Sequence, residues 1–299
     1  MNILISGASG LIGRALMQYL PSCGHTVFQL QRHSSNSPFY WSPQSNTVQL
    51  DDNIAIDGVI NLNGVNIGDK NWSPSRKQAI IDSRINSTEL LAKTLANMIQ
   101  KPKVLINASA IGYYGDTGNT LVDEQHDAGH NFLSDIVRPW EAAAQPAIDA
   151  GIRTVFMRSG VVLSAQGGAL AKMLLPFKLC LGGKIGSGQQ YMSWISLLDE
   201  VRAIDFLLTQ TDIHGPVNLT APNPVTNHEF THTLGQSLKR PTPFPMPEFI
   251  VKTLFGEMGE LLLLGSARVQ PNVLLHAGFE FSHPTLSTAL QYCQAENSY

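Results

Sequence analysis

Residues 2–13 read Asn2-Ile3-Leu4-Ile5-Ser6-Gly7-Ala8-Ser9-Gly10-Leu11-Ile12-Gly13, an apolar run closed by a GxxGxxG pattern. Leu11, Ile12, Ala15, Leu16 and Leu20 then recur at the spacing of one helix face. The order is buried strand, glycine turn, amphipathic helix. Glycines in such a turn take dihedrals closed to other residues and let the backbone approach a pyrophosphate. The helix that follows offers free N–H groups and a partial positive charge to an anion. A glycine motif alone is weak; between a strand and a helix it reads as a dinucleotide cradle, contacted through Gly7, Ser9, Gly10, Leu11, Ile12 and Gly13.

Further strand patterns follow at His25–Leu30, Gly58–Leu62, Lys103–Ala108 and Thr154–Arg158, with a long helix expected over Ser83–Met98. Alternation of strands and helices predicts an α/β fold, a Rossmann-type doubly wound parallel sheet. After about residue 165 the pattern loosens through Gly167, Gly168, Gly182, Gly183, Gly186 and Gly188. An apolar helix is expected over Leu198–Leu208 and a strand over Val217–Thr220. Thr226 and Asn227 are cap candidates for a helix over Phe230–Leu238, and prolines 241, 243, 245 and 247 mark a connector. The expected division is a nucleotide-binding domain over 1–165, its sheet completed by 198–222. A smaller α+β substrate-side domain takes 166–197 and 223–299.

The end of the second strand discriminates between cofactors. An acid there would accept from a ribose 2′-hydroxyl. This chain has Gln31-Arg32-His33, and Arg32 is suited to pair with a 2′-phosphate, so the expected cofactor is NADP(H).

Bulk properties exclude other classes. The chain has 299 residues, 43% hydrophobic and 14% charged, enough to bury a substantial core. Net charge is -3 with no basic stripe, so no nucleic-acid partner is expected. Cys23, Cys180 and Cys293 form no CxxC pair, which fits a reducing compartment. With no signal-like start and no apolar run long enough for a bilayer, the expectation is a cytoplasmic protein without membrane contact, monomer or homodimer, acting on a small-molecule substrate.

Several stretches together resemble the extended short-chain dehydrogenase/reductase superfamily, and within it the atypical epimerase-like branch described as nucleoside-diphosphate-sugar epimerases. They are GASGLIG (7–13), VINLNG (59–64), DSR (82–84), SAIGYYGD (109–116), PWEAAA (139–144), RSGVVL (158–163), LGGKIGSGQQYMSWI (181–195), GPVNLTAPNPVTNHEF (215–230) and AGFEF (277–281). The resemblance implies that Gly7, Gly10 and Gly13 line the pyrophosphate and Arg32 the 2′-phosphate. It implies that Leu62, Asn63 and Gly64 pass the adenosine side and that Arg84 reaches a phosphate or ribose. Ala108 and Ser109 would lie near the nicotinamide and Val161 near its carboxamide. Read without the family, Arg84 is equally well a helix-surface charge.

Hydride-transferring members of that superfamily use Ser/Thr with a YxxxK pair, the lysine lowering the tyrosine pKa. Here the corresponding helix, Phe132–Ala144, has neither; family spacing puts Val137 at the tyrosine position and Glu141 at the lysine position. A glutamate would raise a neighbouring phenol's pKa, so the usual mechanism does not run. The remaining catalytic candidates are Ser109, Tyr113 and Tyr114, one tyrosine being expected in the core. Gln190, Tyr191 and Trp194 are the candidate substrate rim, the alternative being a structural flap. The family's histidine after Trp-Ile is replaced by Ser196, removing an imidazole there, while Asp199 is kept. His228-Glu229-Phe230-Thr231-His232 spells HExxH, but Glu229 beside a helix cap is explained by the helix dipole, so no metal is expected. Two functions remain open: an NADP(H)-dependent epimerase or oxidoreductase of unknown substrate, such as a nucleotide sugar, or a non-catalytic NADP(H)-binding redox sensor or regulator.

Overall fold

The computed structural model describes residues 1–32, 37–51 and 53–295. Six strands, β1 (Asn2–Ser6), β2 (Thr26–Leu30), β3 (Gly58–Asn61), β4 (Val104–Ala110), β5 (Arg153–Ser159) and β6 (Gly215–Leu219), form one sheet in the order β6-β5-β4-β3-β1-β2. Every neighbouring pair in it is parallel. The Rossmann-type sheet expected from the alternating pattern is therefore present.

Period-two alternation explains why both faces are covered. Ile3, Ile5, Ile60, Val104, Ile106, Val155 and Met157 face one core with Leu16 and Leu20 of α1 (Leu11–Ser22) and with Val201, Ile204 and Leu207 of the helix Leu197–Thr209. Leu4, Val59, Leu105 and Phe156 face the other, with Leu91 and Leu95 of α2 (Pro74–Ala96). The helix expected from Ser83 starts earlier, at Pro74, because Ser73 caps it and proline suits the first helical turn.

The chain runs from β1 to β2 on one side, then returns to β3 on the other. That reversal opens a crevice above the carboxyl ends of β1 and β3, the place where such sheets bind ligands. A third core, around Trp194, Leu174, Phe230 and Leu290, joins the helices Gly168–Lys178, Asn227–Leu238 and Leu286–Ala295. The helix Glu248–Gly259 leans on the start of α2 and the segment before it: the Asn71 side-chain amide donates to the Leu254 carbonyl, and Lys77 in the first turns of α2 pairs with Glu257.

Candidate active site

Gly7 turns the chain out of β1 with φ +73°, and a Cβ there would lie 2.8 Å from the Leu62 carbonyl oxygen. At Gly13 a Cβ would fall 2.4 Å from the Gly7 oxygen and 2.6 Å from Ala8 Cα, so only glycine lets α1 dock so close to the turn. A Cβ on Gly10 would meet only the Gly7 oxygen, at 3.3 Å. No side chain caps α1 and no acid lies in its first turn, whereas Ser73, Asn131, Ser196 and Thr226 cap their own helices. The first amides of α1 thus keep their hydrogen-bonding capacity for an outside anion. Leu11 packs against Gly167 and Gly168, bringing the second half of the chain to the edge of the cradle.

Arg84 is not a surface charge. Its guanidinium turns back to donate to the Val65 and Ile80 carbonyls at 3.2 and 3.1 Å and lies 5.1 Å from the Trp140 ring. A Cβ on Gly64 would touch it at 3.2 Å. Burial and the nearby Arg76 lower its pKa to about 10. No carboxylate pairs with it among the described residues. A half-buried cation without a counter-ion, beside the crevice, fits a bound phosphate.

A buried polar ladder crosses the carboxyl edge of the sheet. The Trp140 indole donates to Thr88 Oγ1 at 3.0 Å; Asn61 Nδ2 donates to Thr88 Oγ1 at 3.1 Å and to Asn107 Oδ1 at 2.6 Å. Ser6 Oγ donates to Asn61 Oδ1 at 2.7 Å, and Asn63 Nδ2 donates to Asn61 Oδ1 at 2.7 Å and to Ser6 Oγ. At its end Arg32 donates to Asn63 Oδ1 at 3.3 Å.

At the nicotinamide end of the expected site stands a second network. Ser109 Oγ, buried at the end of β4, donates to Glu141 Oε1 at 2.6 Å. Glu141, on α3 (Phe132–Ala142), is held by Arg158 through Nε to Oε1 and Nη2 to Oε2, both at 2.9 Å. Burial by itself would lower the Arg158 pKa; the hydrogen bonds and charge of Glu141 overcome it and raise it. Arg158 Nη1 donates to the Tyr114 hydroxyl at 3.1 Å, which donates to Asn218 Oδ1 at 2.7 Å. The Arg158 guanidinium also lies 3.4 Å from the Tyr113 ring centroid. Burial pushes the Tyr114 phenol up to about 12, with Arg158 and Asn218 only partly opposing it, so this tyrosine is a poor proton exchanger. Tyr114 is the core aromatic of the pair. The Tyr113 hydroxyl, half-buried, makes no hydrogen bond among the described residues and is the available phenol.

Arg158 and Asn218 were not among the residues singled out from sequence. The RSGVVL segment contained the first, but nothing in the sequence pairs it with Glu141 across 17 positions. Val137 is buried in the α3 core. Ala108 and Val161 are half-buried at the ends of β4 and in the segment after β5.

The expected substrate rim needs correction. Trp194 has no exposed surface; its strand pairs with Val161–Leu163, which drives the indole into the third core. Gln190 is buried, its amide spent on the Ile185 and Leu263 carbonyls at 3.0 and 2.9 Å. Tyr191 is half-buried with Arg268 4.7 Å over its ring. At Ser196 an imidazole does appear, from a distant segment: His283 Nδ1 lies 2.9 Å from Ser196 Oγ, while the His283 and Ser282 amides donate to Asp199 at 2.8 Å. Ser196 and Asp199 are fully buried, so this cluster fastens the segment before the last helix. In the HExxH segment Glu229 is consumed by a capping box with Thr226, and His232 Nε2 meets the Gln236 amide at 2.8 Å. Among the described residues no three His, Cys, Asp or Glu side chains group as a metal site, and no helix is long and apolar enough to cross a membrane.

Residues 3–219 match the model of the NAD dependent epimerase/dehydratase family, and residues 246–293 match a domain of unknown function. An epimerase family protein of Mycobacterium bovis is 45% identical over 292 residues, covering 97% of this chain and 96% of the relative. The crystal structure of human epimerase family protein SDR39U1 (isoform 2) with NADPH superposes with a TM-score of 0.92 at 35% identity, covering 99% of this chain and all of that one. UDP-glucose 4-epimerase from Thermotoga maritima with UDP-glucose shares the fold alone, with a TM-score of 0.77 at 15% identity over the whole of both chains.

Proposed function

The chain belongs to the NAD-dependent epimerase/dehydratase family, and from that premise we propose that it binds NADP(H) over residues 7–13 and acts as an oxidoreductase or isomerase on a small hydroxyl-bearing substrate. The observation that carries the cofactor assignment is the uncapped, glycine-lined start of α1, flanked by two arginines that no carboxylate neutralises among the described residues. The NADPH in the human relative's structure supports the same reading.

Gly7, Gly10 and Gly13, with the amides of Ser9, Leu11 and Ile12, hold the pyrophosphate; Arg32 takes the 2′-phosphate and Arg84 a phosphate or ribose oxygen. Leu62, Asn63 and Gly64 pass the adenosine side, and Ala108, Ser109 and Val161 border the nicotinamide. Bound there, the cofactor supplies a hydride acceptor or donor.

Proton handling departs from the tyrosine–lysine arrangement. The single Ser109 proton is committed to Glu141 at 2.6 Å, so Ser109 Oγ presents a lone pair to the cleft. While Glu141 is ionised it therefore accepts from a hydroxyl, and the return step of an isomerase runs both transfers in reverse. A substrate proton passing to Ser109 Oγ is matched by the Ser109 proton passing to Glu141, while Arg158 holds the carboxylate in place. Tyr113, whose hydroxyl makes no other hydrogen bond among the described residues, supplies the donor at the cleft. This favours alcohols and sugars as the substrate class, nucleotide sugars included.

NADPH fluorescence titration tests the first half of this assignment: absence of binding at millimolar cofactor defeats it. A panel of alcohols and nucleotide sugars followed by product NMR tests the second, since a closed epimerase cycle leaves NADPH absorbance unchanged. Tight NADPH binding with no product across the panel favours the sensor reading instead.

A further inference from the structure

We infer that Asn63 is the positioning residue that aims Arg32 at the 2′-phosphate, so that the preference for NADP(H) over NAD(H) is set by a carboxamide whose orientation the sheet dictates; this rests on the NADP(H) reading above. The orientation follows from hydrogen-bond bookkeeping along the buried ladder. The Trp140 indole is donor-only, so Thr88 Oγ1 must accept from it. Asn107 Nδ2 donates to the Ala108 carbonyl at 2.9 Å, which leaves Asn107 Oδ1 as an acceptor for Asn61 Nδ2. The Asn61 carboxamide is then fixed with its oxygen toward Ser6 and Asn63. Ser6 gives its only proton to that oxygen, so it too accepts from Asn63. Both contacts require Asn63 Nδ2 inward, and Asn63 Oδ1 is left facing Arg32.

Asn63 is itself buried, at 4% exposure, so turning its amide over would set two donors against each other and leave acceptors unmet without water to replace them. Position 32 therefore faces an oxygen. A cation fits it; the acid that would bind a ribose diol does not. Arg32, an exposed side chain, is tethered at one nitrogen, and its remaining donors keep their capacity for the phosphate.

The test is a cofactor-preference cycle on the full chain, reading Kd for NADPH and NADH by fluorescence in wild type, Arg32→Ala, Asn63→Ala and the double variant. Arg32→Ala is expected to lower the NADPH/NADH preference about 10- to 100-fold, as for loss of a charge-assisted hydrogen bond. Asn63→Ala is expected to lower it about fivefold, since any loss of adenosine contact falls on both cofactors alike and cancels in the ratio, and to add nothing to the preference once Arg32 is gone. An Asn63→Ala effect equal on both cofactors, or undiminished in the Arg32→Ala background, overturns the inference alone. No change in preference on Arg32→Ala overturns the 2′-phosphate assignment and the inference with it. Because Asn63→Ala lies in a buried network, Arg32→Asp supplies an exposed counterpart. Facing the Asn63 oxygen, it should not improve NADH binding, and a tenfold gain, about 1.4 kcal/mol, overturns the fixed orientation.

Discussion

Replacing Glu141 by Gln keeps the shape of the side chain and removes its charge. Arg158, only 3% exposed at its side chain, would then retain a buried cation with no counter-ion. Glu141 Oε1 accepts from both Ser109 and Arg158 Nε, and Oε2 from Arg158 Nη2. In either amide orientation an NH2 group of glutamine faces at least one of these donors. Breaking a buried pair from one side costs about 3–5 kcal/mol. At roughly 2–4 °C per kcal/mol for a chain of this order of size, the melting temperature falls markedly. Removing both partners at once, as Glu141→Met with Arg158→Met, avoids the stranded charge, so the double variant should be more stable than the sum of the singles by about 2 kcal/mol or more. Urea unfolding of the wild type, Glu141→Gln, Glu141→Met, Arg158→Met and the double measures this directly. If Glu141→Gln costs less than about 1 kcal/mol, the value typical of an exposed pair, then the carboxylate is solvated and the proton path from Ser109 loses its anchor.

Three further outcomes follow from the same geometry. Gly13→Ala puts a methyl 2.4 Å from the Gly7 oxygen and should weaken NADPH binding at least tenfold by displacing the turn, which titration of the folded variant reads; unchanged affinity would mean the cradle is not the site. Glu200 is fully buried, its carboxyl pushed up to about 8 by burial against a single bond from Ser159. The unfolded chain sheds that proton at an ordinary carboxyl pKa while the folded one holds it to about pH 8, so stability should fall as pH rises between about 4.5 and 8. Glu200→Gln should flatten that slope in chemical denaturation, and an equally steep profile in the variant would disprove the assignment. Elemental analysis should find no stoichiometric zinc, and His228→Ala should leave both metal content and melting temperature unchanged.

The fold was legible because its signals are local. The strand–GxxGxxG–helix unit needs only neighbouring residues, and the alternation of buried runs with helical spacing needs little more. What the sequence hid is contact across the sheet. Arg158 ends β5 and Glu141 sits on α3, and only parallel pairing of β4 with β5 brings both to Ser109. The Asn61–Asn63–Asn107 ladder was invisible for the same reason, since each asparagine alone reads as a strand-end polar residue. Trp194 misled because a tryptophan in a glycine-rich, polar stretch resembles a ligand wall. The backbone pairing with Val161–Leu163 that turns it inward has no sequence signal.

The last strand of the sheet, β6, enters only after the chain has left the sheet at the end of β5 and come back. A gene cut near residue 165 would therefore not release a self-sufficient module. It would bare the N–H and C=O row of β5, and such an unpaired margin recruits other chains into aggregates. Any attempt to graft the carboxyl-terminal portion onto another cofactor-binding partner must carry residues 215–219 with the sheet they complete.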